Sequence, residues 1–123
     1  MESFIVEEKE KVYNIRHRAF YFSKNIIEYI RTCNYEKIHF SIFDQLLRSA
    51  TSIGANLVEG IAGATKKDFI NYYRIALKSA NETKYWLCLL RDTIEVDKKE
   101  INRLLAEANE LSKIIASIIV SAK

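Results

Sequence analysis

Two histidines, two cysteines and a short glycine-bearing run are the residues of this chain best placed to do chemistry, and their spacing argues against most of it. Glu36 and His39 form a Glu-x-x-His, the unit that carboxylate-bridged di-metal bundles carry on two helices alongside two further inward glutamates. Here it occurs once, in a stretch that reads as a connection, and the other histidine, His17, falls on the solvent side of its helix. A metal centre needs convergent ligands, so no metal is expected. Cys33 and Cys88 sit inside helical patterns without partners at metal-binding spacing, and read as reduced packing thiols rather than a disulfide framework. Some helical-bundle ribonucleases place an arginine and a histidine on one helix a few residues apart. Arg31 lies too far before His39 for that, and Arg16 adjoins His17. Gly60-Ile61-Ala62-Gly63-Ala64-Thr65-Lys66-Lys67 lacks the spacing and the preceding strand of a phosphate loop. No hydroxyl or thiol nucleophile has an evident base. The expectation is a protein that is not an enzyme and needs no cofactor.

The cations are more suggestive. Lys67, Arg74 and Lys78 recur at helical spacing on the side of the third helix opposite its apolar stripe, with Asn71 and Asn81 a little aside, and Arg16, Arg18 and Lys24 do something similar on the first helix. Each could meet a phosphate oxygen, which gives affinity without sequence choice. The alternative is a solvated face that keeps the protein soluble. Nineteen Lys and Arg against sixteen Asp and Glu leave a net charge of +3, compatible with an anionic partner without demanding one. Repetition around an oligomer would add such weak patches together.

The elements that must position these residues are helices. Proline is absent, which favours long uninterrupted segments. Val12, Ile15, Ala19, Phe22, Ile26, Tyr29 and Cys33 alternate three- and four-residue steps and predict a helix from about residue 5 to 33. After a polar connection, Asn34 to Phe40, the Ser41/Asp44 spacing predicts a capped start to the second helix. Its inward positions are Phe43, Leu46, Ala50, Ile53 and Leu57, widened by Leu47, Gly54 and Val58, and it stops near Gly60–Gly63, where glycine accepts a left-handed backbone. Small residues at 50, 54 and 55 allow close helix approach. Thr65 and Asp68 cap a third helix, expected to be the longest, with the stripe Phe69, Tyr73, Ala76, Ala80, Thr83, Leu87, Leu90 and Ile94. Asp97 with Glu100 caps the fourth, along Ile101, Leu104, Ala108, Leu111, Ile115, Ile118 and Ala122. Short linkers between four such helices predict an all-α, antiparallel up-down-up-down four-helix bundle, with residues 1–123 as a single domain. No stretch is apolar enough to span a membrane, and the N-terminus turns acidic at Glu7-Glu8 before any long apolar run, unlike a secretory signal. A cytoplasmic protein is expected.

One feature exceeds what a monomeric bundle needs. Around Tyr85-Trp86-Leu87-Cys88-Leu89-Leu90 the third helix is apolar over most of its circumference, and Tyr13, Phe20 and Ile27 form a second line on the first helix. Surplus apolar surface of this kind marks an interface. Tyr13, Phe20, Ile27, Tyr85, Trp86 and Leu89 are therefore the candidate self-association residues, the alternative being a bundle that buries them itself.

The stretch Gln45 to Gly60, with its core Ser52-Ile53-x-Ala55-Asn56-x-x-Glu59-Gly60, resembles the signature of the bacterial four-helix-bundle family of 23S rRNA intervening-sequence proteins. Asp68-Phe69, Tyr73, Ile75-Ala76, Ser79-Ala80, Glu82 and Leu87 continue the likeness over about half the chain. The resemblance implies a ring-like homopentamer, some members being encoded within insertions of rRNA genes. A related branch, the accessory variability proteins of diversity-generating retroelements, implies basic pentamers that bind nucleic acid, RNA or DNA, and a partner reverse transcriptase. Read as residues, Arg48, Ser52, Asn56, Glu59 and Gly60 are structural: small or polar positions where helices approach, and an acid near a helix C-terminus that needs a compensating partner such as Arg74. The leading expectation is a homo-oligomeric scaffold that binds nucleic acid through phosphate contacts. The rival is a protein-interaction module or an accessory subunit of a reverse transcriptase.

Overall fold

The computed structural model describes residues 2–95 and 97–123, with side chains from residue 14 onward. The side chains of Val12 and Tyr13 thus lie outside the described residues. Four helices, α1 (Glu2–Thr32), α2 (Phe40–Ala62), α3 (Lys66–Thr93) and α4 (Lys98–Ala122), form an antiparallel bundle, with a 3-10 turn at Lys37–His39 leading into α2. At 31 residues α1 is longer than α3, at 28, contrary to the expectation. Around the bundle, α1 packs on α2 and α4, and α3 packs on α2 and α4, so that α1 and α3 lie diagonally opposed.

The heptad stripes converge on one core. Ile15, Ala19, Phe22 and Ile26 from α1 meet Leu46, Ala50, Ile53 and Leu57 from α2, Tyr73, Ala76, Ala80, Leu87 and Leu90 from α3, and Ile101, Leu111 and Ile115 from α4. Burial of these side chains, each worth about 1.5–3 kcal/mol for the larger ones, drives the assembly. Val58 departs from its expected place: it is 54% exposed, because a stripe widened that far turns past the core into solvent.

Two of the three expected helix starts form as read. Thr65 Oγ1 accepts the Asp68 N–H at 3.0 Å, and Asp97 Oδ1 accepts the Lys99 N–H at 2.9 Å. The Ser41/Asp44 cap does not form. His39 occupies the cap position without a side-chain bond, and the 3-10 turn supplies acceptors instead: the His39 N–H bonds the Glu36 carbonyl at 3.0 Å and the Phe40 N–H bonds that of Lys37. Asp44 is engaged by Arg48 Nε at 3.0 Å, one turn along α2. Nor is the α2 stop left-handed, since Gly63 has φ −63° and ψ 146°. Glycine is required there by crowding, because a Cβ would come within 2.9 Å of the Asp68 Cβ.

Part of the signature, Ser52 and Gly60 with Asn56 bonded to Ser52, lies along the α2–α3 seam. Asn56 Nδ2 donates to the Ser52 carbonyl and hydroxyl at 2.8 and 2.9 Å. Ser79 Oγ lies 3.0 Å from Ser52 Oγ, and one turn away the buried Thr83 hydroxyl sits 3.0 Å from Ser49 Oγ and 2.8 Å from the Ser79 carbonyl. This hydroxyl ladder joins two helices along a line of small side chains and satisfies polar groups that would otherwise be costly to bury. Gly60 closes the seam against the Tyr73 ring and the Tyr72 Cβ. Glu59 is exposed and makes no ion pair with Arg74 among the described residues, so its expected partner is absent there.

Candidate nucleic-acid interface

The six candidate cations separate into two groups of different standing. On α1, helical geometry sends neighbouring positions to different sides. Arg18 turns toward α4, where its Nε and Nη2 meet both Glu107 oxygens at 3.1 and 2.5 Å. That fork raises the Arg18 pKa, chiefly through the hydrogen bond to Glu107 and against the effect of burial. Half-exposed pairs of this kind contribute roughly 0–1 kcal/mol, but the guanidinium is committed within the bundle. Arg16 is half-buried on another side and lines a cleft with Phe20, Ser23, Thr51, Gly54, Ala55 and Val58 between α1 and α2. Lys24 lies 5.4 Å over the Tyr21 ring, in cation–π contact. The three α1 cations therefore do not share one face: Arg16 lines the α1–α2 cleft, whereas Arg18 and Tyr21, with Lys24 over the Tyr21 ring, lie on the α4 side.

On α3 they do. Lys67, Asn71, Arg74, Lys78, Asn81 and Tyr85 follow each other in steps of four and three residues, and every one is exposed. Lys67, Arg74 and Lys78 make no ion pair among the described residues. Lys67, Asn71 and Arg74 share an open cleft of about 350 Å³ with Ile70 and Lys66. Lys66, a contributor that sequence reasoning missed, sits in the first turn of α3, where its neighbour Thr65 caps the helix; only the fold shows it beside Arg74.

The candidate self-association residues also separate. Phe20 is 63% and Ile27 39% exposed on α1, and Phe20 adjoins Val58 across the α1–α2 cleft. On α3, Trp86 packs against the core, with its Nε1 3.4 Å from Glu82 Oε1, and Leu89 is half-buried. Tyr85 alone of that trio stands well out, 60% exposed, with its ring edge-on to Trp86 at 5.0 Å. Val58 was missed as a surface residue because its spacing fits the inward stripe.

Tyr73 is fully buried, and its hydroxyl has no hydrogen-bond partner among the described residues. Burial pushes its pKa up to about 12, with Arg16 pulling the other way. Such a group stays neutral and packs; it is not poised for proton transfer. Among the described residues no three His, Cys, Asp or Glu side chains come together as a metal site, and no helix is long and apolar enough to cross a membrane. The Glu36/His39 pair sits at the 3-10 turn.

A bundle with a hydroxyl-laced α2–α3 seam and a basic α3 face can be set beside known proteins. A comparison with curated proteins gives no match. Among solved structures, the chain is similar to the crystal structure of a protein with unknown function from the S23 ribosomal protein family of Bacteroides thetaiotaomicron VPI-5482. The two share 36% identity over 89% of this chain and 97% of that one, with a TM-score of 0.82. The family described as 23S rRNA-intervening sequence protein matches residues 11–117, a span that takes in the ladder, the α3 stripe and nearly all of the core. On that match and that fold, the chain belongs to the 23S rRNA-intervening sequence protein family.

Proposed function

We propose that the protein is a non-enzymatic, cytoplasmic scaffold that assembles as a homopentamer and binds nucleic acid through phosphate contacts on the outer face of α3. The observation that carries this reading is the α3 stripe: three cations at helical spacing without ion pairs among the described residues, whereas Arg18 is tied to Glu107 and Lys24 rests on Tyr21. Lysine and arginine placed this way release counterions from a polyanion whatever its sequence. The family's name, with its reference to rRNA, supports an RNA target.

Self-association is supported by the α1–α2 surface, where Phe20, Ile27 and Val58 remain exposed. Because α1 and α3 are diagonally opposed, subunits joined through α1 would leave the α3 stripes free. A pentamer would carry about five times the subunit's +3, and its repeated stripes would bind cooperatively along one polyanion. Two measurements test the reading. Light scattering should give a pentamer mass at low and high salt, and a salt-independent monomer would remove the assembly. RNA or DNA should bind at low ionic strength and dissociate as salt rises; no binding at low salt would remove the nucleic-acid role.

A second reading, a protein-interaction module or accessory subunit of a reverse transcriptase, is favoured by Ile38 and Phe40. These are 77% and 56% exposed at the α1–α2 connection. Retention of a protein partner by a chain that binds no nucleic acid would support it.

A further inference from the structure

The α3 stripe does not end in a cation. Beyond Lys67, Asn71, Arg74 and Lys78 the same line continues through Asn81 to Tyr85, whose ring is 60% exposed and forms a T-shaped pair with Trp86 at 5.0 Å and 80°. Trp86 is itself fixed: it packs on the core, and its indole nitrogen lies 3.4 Å from Glu82 Oε1. A large ring left mostly in water beside an anchored neighbour offers its exposed surface to a partner. At about 1.5 Å per residue, Lys78 lies about 6 Å along the helix from Arg74, and Tyr85 about 10 Å further on. No carboxylate interrupts the stripe itself. A row of cations ending in an aromatic face is the combination that holds an unpaired strand, the cations tracking its backbone and the ring taking a base. A duplex offers such a ring nothing to stack on, since its bases are already stacked.

Resting on the nucleic-acid reading above, we infer that the α3 face is a binding site for single-stranded nucleic acid, with Lys67, Arg74 and Lys78 on successive parts of the backbone and Tyr85 as the stacking platform for one base. The contact reads no sequence, because every base has a π-face. Asn71 and Asn81 lie on the same line as exposed amides and add hydrogen bonds to whatever edge or phosphate they meet.

The test is fluorescence anisotropy at low salt with a labelled oligouridylate and with a duplex RNA of equal length, using the full chain and its Tyr85→Ala and Tyr85→Phe variants. The wild type should prefer the single strand. Tyr85→Ala should weaken single-strand binding by about 5- to 150-fold and leave duplex binding unchanged, and Tyr85→Phe should restore it. Since Tyr85 is exposed, circular dichroism and light scattering should show both variants folded and assembled as the wild type is. Equal binding of strand and duplex, unmoved by Tyr85→Ala, would overturn the single-strand inference while the phosphate-contact reading stands. Absence of binding to either probe would overturn both. A lower assembly mass in Tyr85→Ala would place the ring in the subunit interface and overturn its stacking role.

Discussion

Gly54 and Gly60 lie within one helix and one signature, and both have ordinary helical backbones, with no positive φ at either. Their neighbours predict opposite responses to alanine. A Cβ on Gly54 would stand 3.5 Å from the Ala19 Cβ, an ordinary contact across the α1–α2 crossing. There the substitution removes the backbone entropy cost of a helical glycine, and a gain of about 0.5–1 kcal/mol follows. A Cβ on Gly60 would fall 2.9 and 3.0 Å from two carbons of the Tyr73 ring and 3.2 Å from the Tyr72 Cβ. Tyr73 cannot swing aside, because it is fully buried and stacked on Phe69 at 4.2 Å. The α2–α3 seam must open, at a cost of about 1–3 kcal/mol, which the gain in helix propensity offsets only in part. The two variants should therefore differ by about 1–3 kcal/mol, Gly54→Ala above the wild type and Gly60→Ala below it. Guanidinium unfolding followed by far-ultraviolet circular dichroism, at one fixed protein concentration because the proposed assembly would contribute to stability, reads this as midpoints displaced in opposite directions. A Gly60→Ala chain as stable as the wild type would refute the claim that this glycine is dictated by helix contact. Destabilisation by Gly54→Ala would refute the assigned α1–α2 spacing.

Phe20→Glu places a charge in the exposed α1–α2 patch beside Val58, where burial against a second subunit would leave it unpaired. The solution mass should fall toward the monomer with helicity retained, and an unchanged mass would remove this face from the interface. Tyr73 makes the fold sensitive to alkali. Its folded pKa is raised by burial from 10.0 to about 12, so its contribution to stability is fully present below about pH 10 and is lost as pH rises through about 12. The unfolding free energy should drop over that window, and Tyr73→Phe should flatten the drop; an identical pH profile in the variant would show that the ring's ionisation is not coupled to folding.

The helices were legible because each buries a single stripe whose period survives in the sequence: Ile15 to Tyr29 and Ile101 to Ile118 fall inside as spaced. Caps were legible where the loop leaves N–H groups to a side chain, as at Thr65 and Asp97, and illegible at Ser41, where a 3-10 turn supplies backbone carbonyls first. Val58 misled because spacing alone does not say how wide a buried stripe may be before it meets water. The candidate site was only partly readable. Lys67, Arg74 and Lys78 share a helix, so their common face follows from periodicity. The commitment of Arg18 to Glu107 joins residues 89 positions apart and becomes visible only in the packed bundle. Tyr85 was assigned to surplus apolar surface, and its place at the end of the cation line emerges once Trp86 beside it is seen to be anchored inward.

The central claim is that nucleic acid is held by the exposed α3 cations Lys67, Arg74 and Lys78. The measurement that tests it most directly is the salt dependence of oligouridylate affinity for the wild type beside the Lys67→Ala/Arg74→Ala/Lys78→Ala variant. All three residues are exposed, so fold and assembly mass should be preserved. The account predicts binding that weakens steeply with salt, and a log–log slope shallower by about 0.7 for each contact removed. An equal slope and equal affinity in the two proteins would contradict it.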